Sequence, residues 1–98
     1  MILIDAGFDE PVVNCPVATL HRVLHADLGY PDLRIAIEYE GGYHFSSDLQ
    51  LRRDAIRRKH MVNAGWTVIV AMDDDVTDPS TLIAALAEAV GRARAQLN

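Results

Sequence analysis

The sequence has few of the features that mark secreted or membrane proteins. Cys15 is its only cysteine, so an internal disulfide is impossible and a reducing compartment is indicated. The short apolar run at the N-terminus has no preceding basic segment and is far too short for a signal peptide. No stretch approaches the roughly 20 apolar residues that are needed to span a bilayer. These absences predict a cytoplasmic protein that does not associate with membranes.

What is present is the composition of a folded domain. The chain has 98 residues, of which 50% are hydrophobic and 23% are charged, and this balance predicts a packed core rather than disorder. It contains no internal repeat, low-complexity tract or linker. We therefore expect one domain over residues 1–98, with Cys15 as a small buried hydrophobic residue rather than a nucleophile.

The charge of the chain is unevenly distributed. Fourteen acidic residues outnumber nine basic ones and give a net charge of −5, which argues against a protein that binds nucleic acid through its overall charge. Five of the nine basic residues nevertheless lie within eight positions, and they are Arg52, Arg53, Arg57, Arg58 and Lys59. A basic patch on an acidic protein suits an enzyme that contacts phosphate at one edge and keeps carboxylates in a cleft.

Hydrophobic periodicity and turn residues predict the order strand, strand, strand, helix, strand, helix. The predicted strands are residues 11–17, 23–28, 34–40 and 66–71, and the predicted helices run from Ser46 or Ser47 to about Asn63 and onward from Asp78-Pro79. The first strand contains prolines, which suit an edge strand, and the apolar fourth strand is typical of a strand buried on both faces. The order predicts an α/β fold with a mixed sheet, in which an antiparallel three-strand meander precedes a helix, a strand and a helix.

The second and third predicted strands carry three acidic residues. Residues two apart on a strand share a face, so Glu38 and Glu40 are predicted to project the same way. A tight turn over residues 30–33 places Asp27 opposite Ala36 by antiparallel pairing, on the same face as both glutamates. Three carboxylates on one patch of a sheet repel one another unless a cation lies between them. The pattern therefore favours a magnesium or manganese site, and the alternative is the ordinary solvated face of an antiparallel strand.

These residues also form part of a longer pattern. Asp27 is followed after ten residues by Glu38-Tyr39-Glu40-Gly41 and then by His44, with Arg52-Arg53-Asp54 and Gly65-Trp66 further along the chain. The pattern resembles PD-(D/E)XK nucleases of the very-short-patch-repair-like branch, and more closely a widespread bacterial domain-of-unknown-function family within that branch. The resemblance covers almost the whole chain.

The resemblance implies a restriction-endonuclease-like fold and a magnesium-dependent endodeoxyribonuclease. It makes Asp27 and Glu38 metal ligands and puts Glu40 where the motif usually has lysine, so that Glu40 would ligate metal or accept a proton. By the same resemblance His44 would act as a general acid or base, or would orient the attacking water. Members of this family usually begin with an additional helix. We therefore expect an N-terminally truncated domain, which a homodimer or a partner chain would complete.

The basic patch falls on the first predicted helix. Arg52, Arg53, Arg57 and Lys59 are the residues we expect to contact DNA phosphates, and the alternative is a solvated helix face or side chains at the rim of the core. Two other functions stay open for the chain. One is a catalytically inactive nucleic-acid-binding module of the same fold, and the other is a non-enzymatic protein whose exposed apolar surface dimerises or binds another chain. His21 and His60 have no partner visible in the sequence.

Overall fold

The computed structural model, which describes residues 2–40 and 47–97, shows a four-stranded sheet with helices on both faces. The strands are β1 (Val12–Ala18), β2 (Val23–Tyr30), β3 (Ile35–Glu40) and β4 (Thr67–Met72), and the helices are α1 (Ile2–Asp5), α2 (Asp48–Asn63), α3 (Asp74–Thr77) and α4 (Ser80–Leu97). The predicted strands and the two long helices are present. The one-turn helices α1 and α3 were not predicted. No helix in these two ranges is long and apolar enough to cross a membrane.

The sheet is mixed, as predicted. Its strand order is β1-β2-β3-β4, with antiparallel pairing of β1 with β2 and of β2 with β3, and parallel pairing of β3 with β4. The edge position predicted for β1 is confirmed. Strand β4 forms the other edge, so its central side chains Val68 and Ile69 contact the cores on opposite faces but are only half-buried. The predicted burial of this strand is therefore less complete than its apolar sequence indicates.

Two hydrophobic cores lie on opposite faces of the sheet. The first, here called the α4 core, is formed by Leu3, Tyr30, Ile35, Ile37, Ala71, Leu86, Ala89 and Val90. The second, here called the α2 core, is formed by Cys15, Val17, Leu24, Ala26, Ala36 and Met61. Because Cys15 is fully buried in the α2 core, the low polarity of its surroundings raises the pKa of its thiol. The prediction that this residue is structural rather than nucleophilic agrees with its burial.

The connection between β2 and β3 is longer than predicted. Pro31–Leu33 form a 3₁₀ helix, and Arg34 follows in the left-handed region with φ of 53°. Tyr30 consequently pairs with Ile35, and Gly29 with Ala36. The predicted pairing of Asp27 with Ala36 is therefore wrong by two residues, because it requires a two-residue turn and the chain uses four residues.

Candidate functional site

The two glutamates of β3 share a face, as the strand period predicts, and this face carries α2. Glu38 is 2% exposed and forms an ion pair with Arg57 of α2. Nη1 of Arg57 donates to Oε1 of Glu38, and Nη2 donates to Oε2 at 3.3 Å and to the backbone carbonyl of His25. One guanidinium thus joins α2 to both β2 and β3. The two-pronged geometry makes this a strong charge-assisted contact.

Glu40 has a similar partner one residue along α2. Nη1 of Arg58 lies 3.3 Å from Oε1 of Glu40, and each of the two side chains is 20% exposed. Successive arginines of one helix therefore pair with alternate residues of one strand. Because each glutamate has an arginine partner, the acidic face of β3 is neutralised by α2.

Asp27 does not join the two glutamates. Oδ2 of its carboxylate accepts a hydrogen bond of 2.7 Å from the backbone N–H of Tyr39. The residue lines a cavity of about 190 Å³ together with side chains of the α4 core, among them Ile37 and Ala71. This cavity lies on the face of the sheet opposite to that of Glu38.

A change of face in β2 explains the position of Asp27. Ala26 belongs to the α2 core, whereas Leu28 contacts the α4 core, although residues two apart in a regular strand share a face. The change occurs beside Asn14 of β1. Asn14 and Asp27 both lie between two consecutive pairs of facing residues of β1 and β2, and Asn14 has a φ of 53°. A left-handed residue interrupts the regular pleat. The prediction of three carboxylates on one face fails at this point.

A divalent cation does not fit these residues as they are arranged. Within residues 2–40 and 47–97, no group of three or more His, Cys, Asp or Glu side chains is placed to hold a metal ion. The carboxylate oxygens of Glu38 and Glu40 are engaged by guanidinium groups, and Asp27 is directed elsewhere. His44, the predicted general acid or base, lies outside the described residues. The predicted convergence of Asp27, Glu38 and Glu40 is therefore wrong.

The basic residues of α2 divide into two groups. Arg57 is bound to Glu38 and is not free to contact DNA as predicted. Arg52, Arg53 and Lys59 are exposed and form no salt bridge with any residue that the structure describes. Three of the four residues predicted to contact nucleic acid thus remain available for a polyanion.

Helix α2 lies on the sheet with its polar side inward. Met61 is its only buried residue among those described, and the inward side also carries the two arginines that bind β3. The apolar residues that sequence periodicity groups together point outward instead, and these are Leu49, Leu51, Ile56 and Val62, each between 42% and 56% exposed. The helix is therefore held by ion pairs more than by apolar contact.

A cationic cleft that was not predicted from the sequence lies along one side of α2. The turn between β1 and β2 brings His21 and Arg22 next to Arg53, Arg57 and His60. The rings of His21 and His60 contact each other with centroids 4.5 Å apart. A separation of 39 positions in the sequence hides this pairing, and no local pattern of residues indicates it.

Comparison with known proteins identifies two similar chains, both uncharacterized proteins of Mycobacterium tuberculosis, one from strain CDC 1551 (Oshkosh) and one from strain H37Rv. Each is 31% identical over 99 aligned residues, which covers 96% of this chain. The chain spans only 35% of the length of these curated relatives. No protein-family model matches the chain, and no solved structure matches it.

Proposed function

We propose that this chain is a nucleic-acid-binding module of the restriction-endonuclease-like type, which contacts the phosphate backbone through the outer side of α2. The observation that carries the proposal is the exposure of Arg52, Arg53 and Lys59 on one helix without an acidic partner among the described residues. Guanidinium and ammonium groups that are free of internal partners are the usual contacts to phosphate oxygens.

The arrangement of ion pairs explains how a chain with a net charge of −5 can offer a cationic surface. Beneath α2, Arg57 and Arg58 neutralise Glu38 and Glu40. These two glutamates therefore do not repel a polyanion as bare carboxylates would. Interactions with more distant acids are screened over roughly 8–10 Å at physiological ionic strength.

Binding is favoured over magnesium-dependent hydrolysis because of the state of the carboxylates. Hydrolysis through a metal-activated water requires carboxylate oxygens that are free to ligate the ion. Here Glu38 and Glu40 are held by arginines, and Asp27 lies with the opposite core. The module is accordingly expected to bind nucleic acid in the presence of EDTA and to leave a supercoiled plasmid intact with Mn²⁺.

Fluorescence anisotropy with a labelled DNA duplex tests the proposal. Two double variants are compared, each of which lacks two positive charges, one on α2 and one on α4. The double variant Arg52→Ala, Arg53→Ala should weaken binding about tenfold or more at low salt, and should reduce the slope of log K against log salt. The control is Arg92→Ala, Arg94→Ala on α4, which removes the same charge from the other face. Equal losses in the two double variants would mean that binding follows net charge rather than the surface of α2.

A second candidate function is supported by the outward apolar side of α2. Leu49, Ile56 and Val62 are more than half exposed on a single helix, and exposed apolar surface of this kind marks protein interaction sites. Arg52 and Lys59 lie among these residues on the helical wheel, so a second copy would bring like charges together and an acidic partner chain fits better. Sedimentation analysis of the chain alone distinguishes the two partners. A second copy predicts self-association that Ile56→Glu abolishes, whereas an acidic partner predicts that the chain by itself is a monomer.

A further inference from the structure

An open cleft of about 480 Å³ separates the β1–β2 turn from α2. Its lining includes His21, Arg22, Arg53, Asp54, Arg57 and His60. Three arginines thus face one aspartate, on a chain in which acidic residues outnumber basic ones. Such a local excess of guanidinium groups is the chemistry that recognises phosphate.

The turn that forms one wall of the cleft is fixed by its own hydrogen bonds. Oγ1 of Thr19 donates to the carbonyl of Arg22 at 2.6 Å, and it accepts from the backbone N–H groups of His21 and Arg22 at 3.2 and 3.1 Å. The N–H of Thr19 also donates to the carbonyl of Arg22 at 3.0 Å. These bonds hold the backbone of the turn, so the side chains of His21 and Arg22 start from a defined position.

Two contacts fix the turn and strand β2 against α2. The ring of His21 meets the ring of His60 edge-on, at an interplanar angle of 62°. Below them, Nη2 of Arg57 donates to the carbonyl of His25 in β2. The distance between the walls is therefore set before any ligand binds, and this lowers the conformational entropy that binding would cost.

The charges inside the cleft are unequally engaged. Arg57 is committed to Glu38, and Oδ1 of Asp54 accepts a hydrogen bond of 3.1 Å from Gln50. The guanidinium groups of Arg22 and Arg53 are exposed and make no ion pair with the described part of the chain. They stand on opposite walls, one on the turn and one on the helix, so that a ligand between them would contact both.

We propose that this cleft binds the terminal phosphate of a nucleic-acid strand, with Arg22 and Arg53 as its ligands and the His21–His60 pair as a surface for the adjoining nucleoside. A terminal phosphate carries close to two negative charges near neutrality, whereas a backbone phosphate carries one, so it gains more from several guanidinium groups. The volume of the cleft exceeds that of a phosphate and leaves room for a base against the imidazole rings. This inference rests on the proposed function, and it specifies the phosphorylated end of a strand as the part of the nucleic acid that binds in the cleft.

The test compares three labelled single-stranded oligonucleotides of one sequence, which carry a 5′ phosphate, a 3′ phosphate or neither. Anisotropy should give about tenfold tighter binding of one phosphorylated form than of the unphosphorylated form. The variant Arg22→Ala should bring that ratio close to one. This variant leaves the turn intact, because the hydrogen bonds between Thr19 and Arg22 involve the backbone of Arg22 and not its side chain. Two control variants should leave the ratio unchanged. Lys59→Ala, outside the cleft on α2, should weaken all three complexes alike, and Arg92→Ala on α4 should leave all three affinities close to those of the wild type.

Inorganic phosphate provides a readout that does not depend on DNA binding. In heteronuclear NMR, phosphate should shift the imidazole signals of His21 and His60 in a saturable way in the wild type and in Lys59→Ala, and not in Arg22→Ala. If phosphate shifts these signals while no oligonucleotide binds, the anion site stands and the proposed function fails. Equal affinity for all three oligonucleotides, or a phosphate preference that survives Arg22→Ala, would overturn the assignment of the cleft to strand ends.

Discussion

At the scale of single residues, the ion pair between Arg57 and Glu38 determines how the acidic strand can be used. Taking a carboxylate out of water costs several kcal/mol unless a partner and further hydrogen bonds compensate for it. Glu38, at 2% exposure, has one partner that also binds the backbone of β2. The same side chain that the sequence offers as a metal ligand is thus part of the packing between α2 and the sheet.

This role predicts a large loss of stability when the arginine is removed. The variant Arg57→Ala should lower the free energy of unfolding by about 3 kcal/mol or more, because it leaves Glu38 buried without a counter-charge. Urea denaturation followed by circular dichroism measures the change. Arg92→Ala is the control, since its pair with Glu88 is exposed on both sides and should contribute less than about 0.5 kcal/mol. Comparable losses in both variants would show that Arg57 is not structural.

The three predicted ligands show which residue-scale features a sequence can disclose. The strand period placed Glu38 and Glu40 on one face correctly, because β3 is regular. It failed for Asp27, because the left-handed φ of Asn14 accompanies a change of face in the neighbouring strand. An asparagine within a strand tolerates that conformation, but nothing in the sequence alone shows that it adopts it.

At the scale of secondary-structure elements, β1 and β2 approach closely where glycine is required. A Cβ atom on Gly29 would lie 2.6 Å from Sγ and 2.8 Å from Cβ of Cys15, which is fully buried. The variant Gly29→Ala should therefore lower the free energy of unfolding by about 1–3 kcal/mol. Gly91 in α4 is the matched control, because a Cβ there meets nothing within 4 Å and Gly91→Ala should stabilise the helix by about 0.5–1 kcal/mol. Thermal unfolding of the two variants should shift in opposite directions, and a shared direction would contradict the packing described.

The start of α4 yields a pH-dependent prediction. Oδ1 of Asp78 accepts hydrogen bonds from the hydroxyl of Ser80 at 2.8 Å and from its backbone N–H at 3.2 Å, and these bonds lower the pKa of Asp78 below its ordinary value. A lowered pKa means that the contribution to stability is complete above the unfolded pKa of about 3.9 and is lost as the pH falls through the folded value. NMR titration should report the lowered pKa, and Ser80→Ala should raise it toward the ordinary value. An unchanged titration in that variant would assign the shift to another cause.

The elements themselves were largely predictable, and their relative placement was less so. Pro11 and Pro16 at β1, the apolar run of β4 and Asp78-Pro79 each indicated the right element. The register of β2 with β3 was not predictable, because a 3₁₀ helix and a left-handed Arg34 replace the expected tight turn. The orientation of α2 was also hidden, since its buried side is polar and its apolar side is exposed.

At the scale of the whole molecule, the layers of the fold segregate charge. The acidic face of β3 is covered and neutralised by the inner arginines of α2, and the remaining basic residues of that helix stand outward with Arg22 close by. A chain that is acidic overall thereby gains one cationic side. Only the folded arrangement shows which arginines serve packing and which remain for a ligand.

The most direct test of the cationic surface on α2 is the salt dependence of duplex DNA binding in EDTA, measured by anisotropy for the wild type and for the double variant Arg52→Ala, Arg53→Ala. We predict metal-independent binding whose affinity falls linearly with salt on logarithmic axes, with a slope about two smaller in the variant. Binding that requires Mg²⁺ or Mn²⁺, or an identical slope in the two proteins, would contradict this prediction.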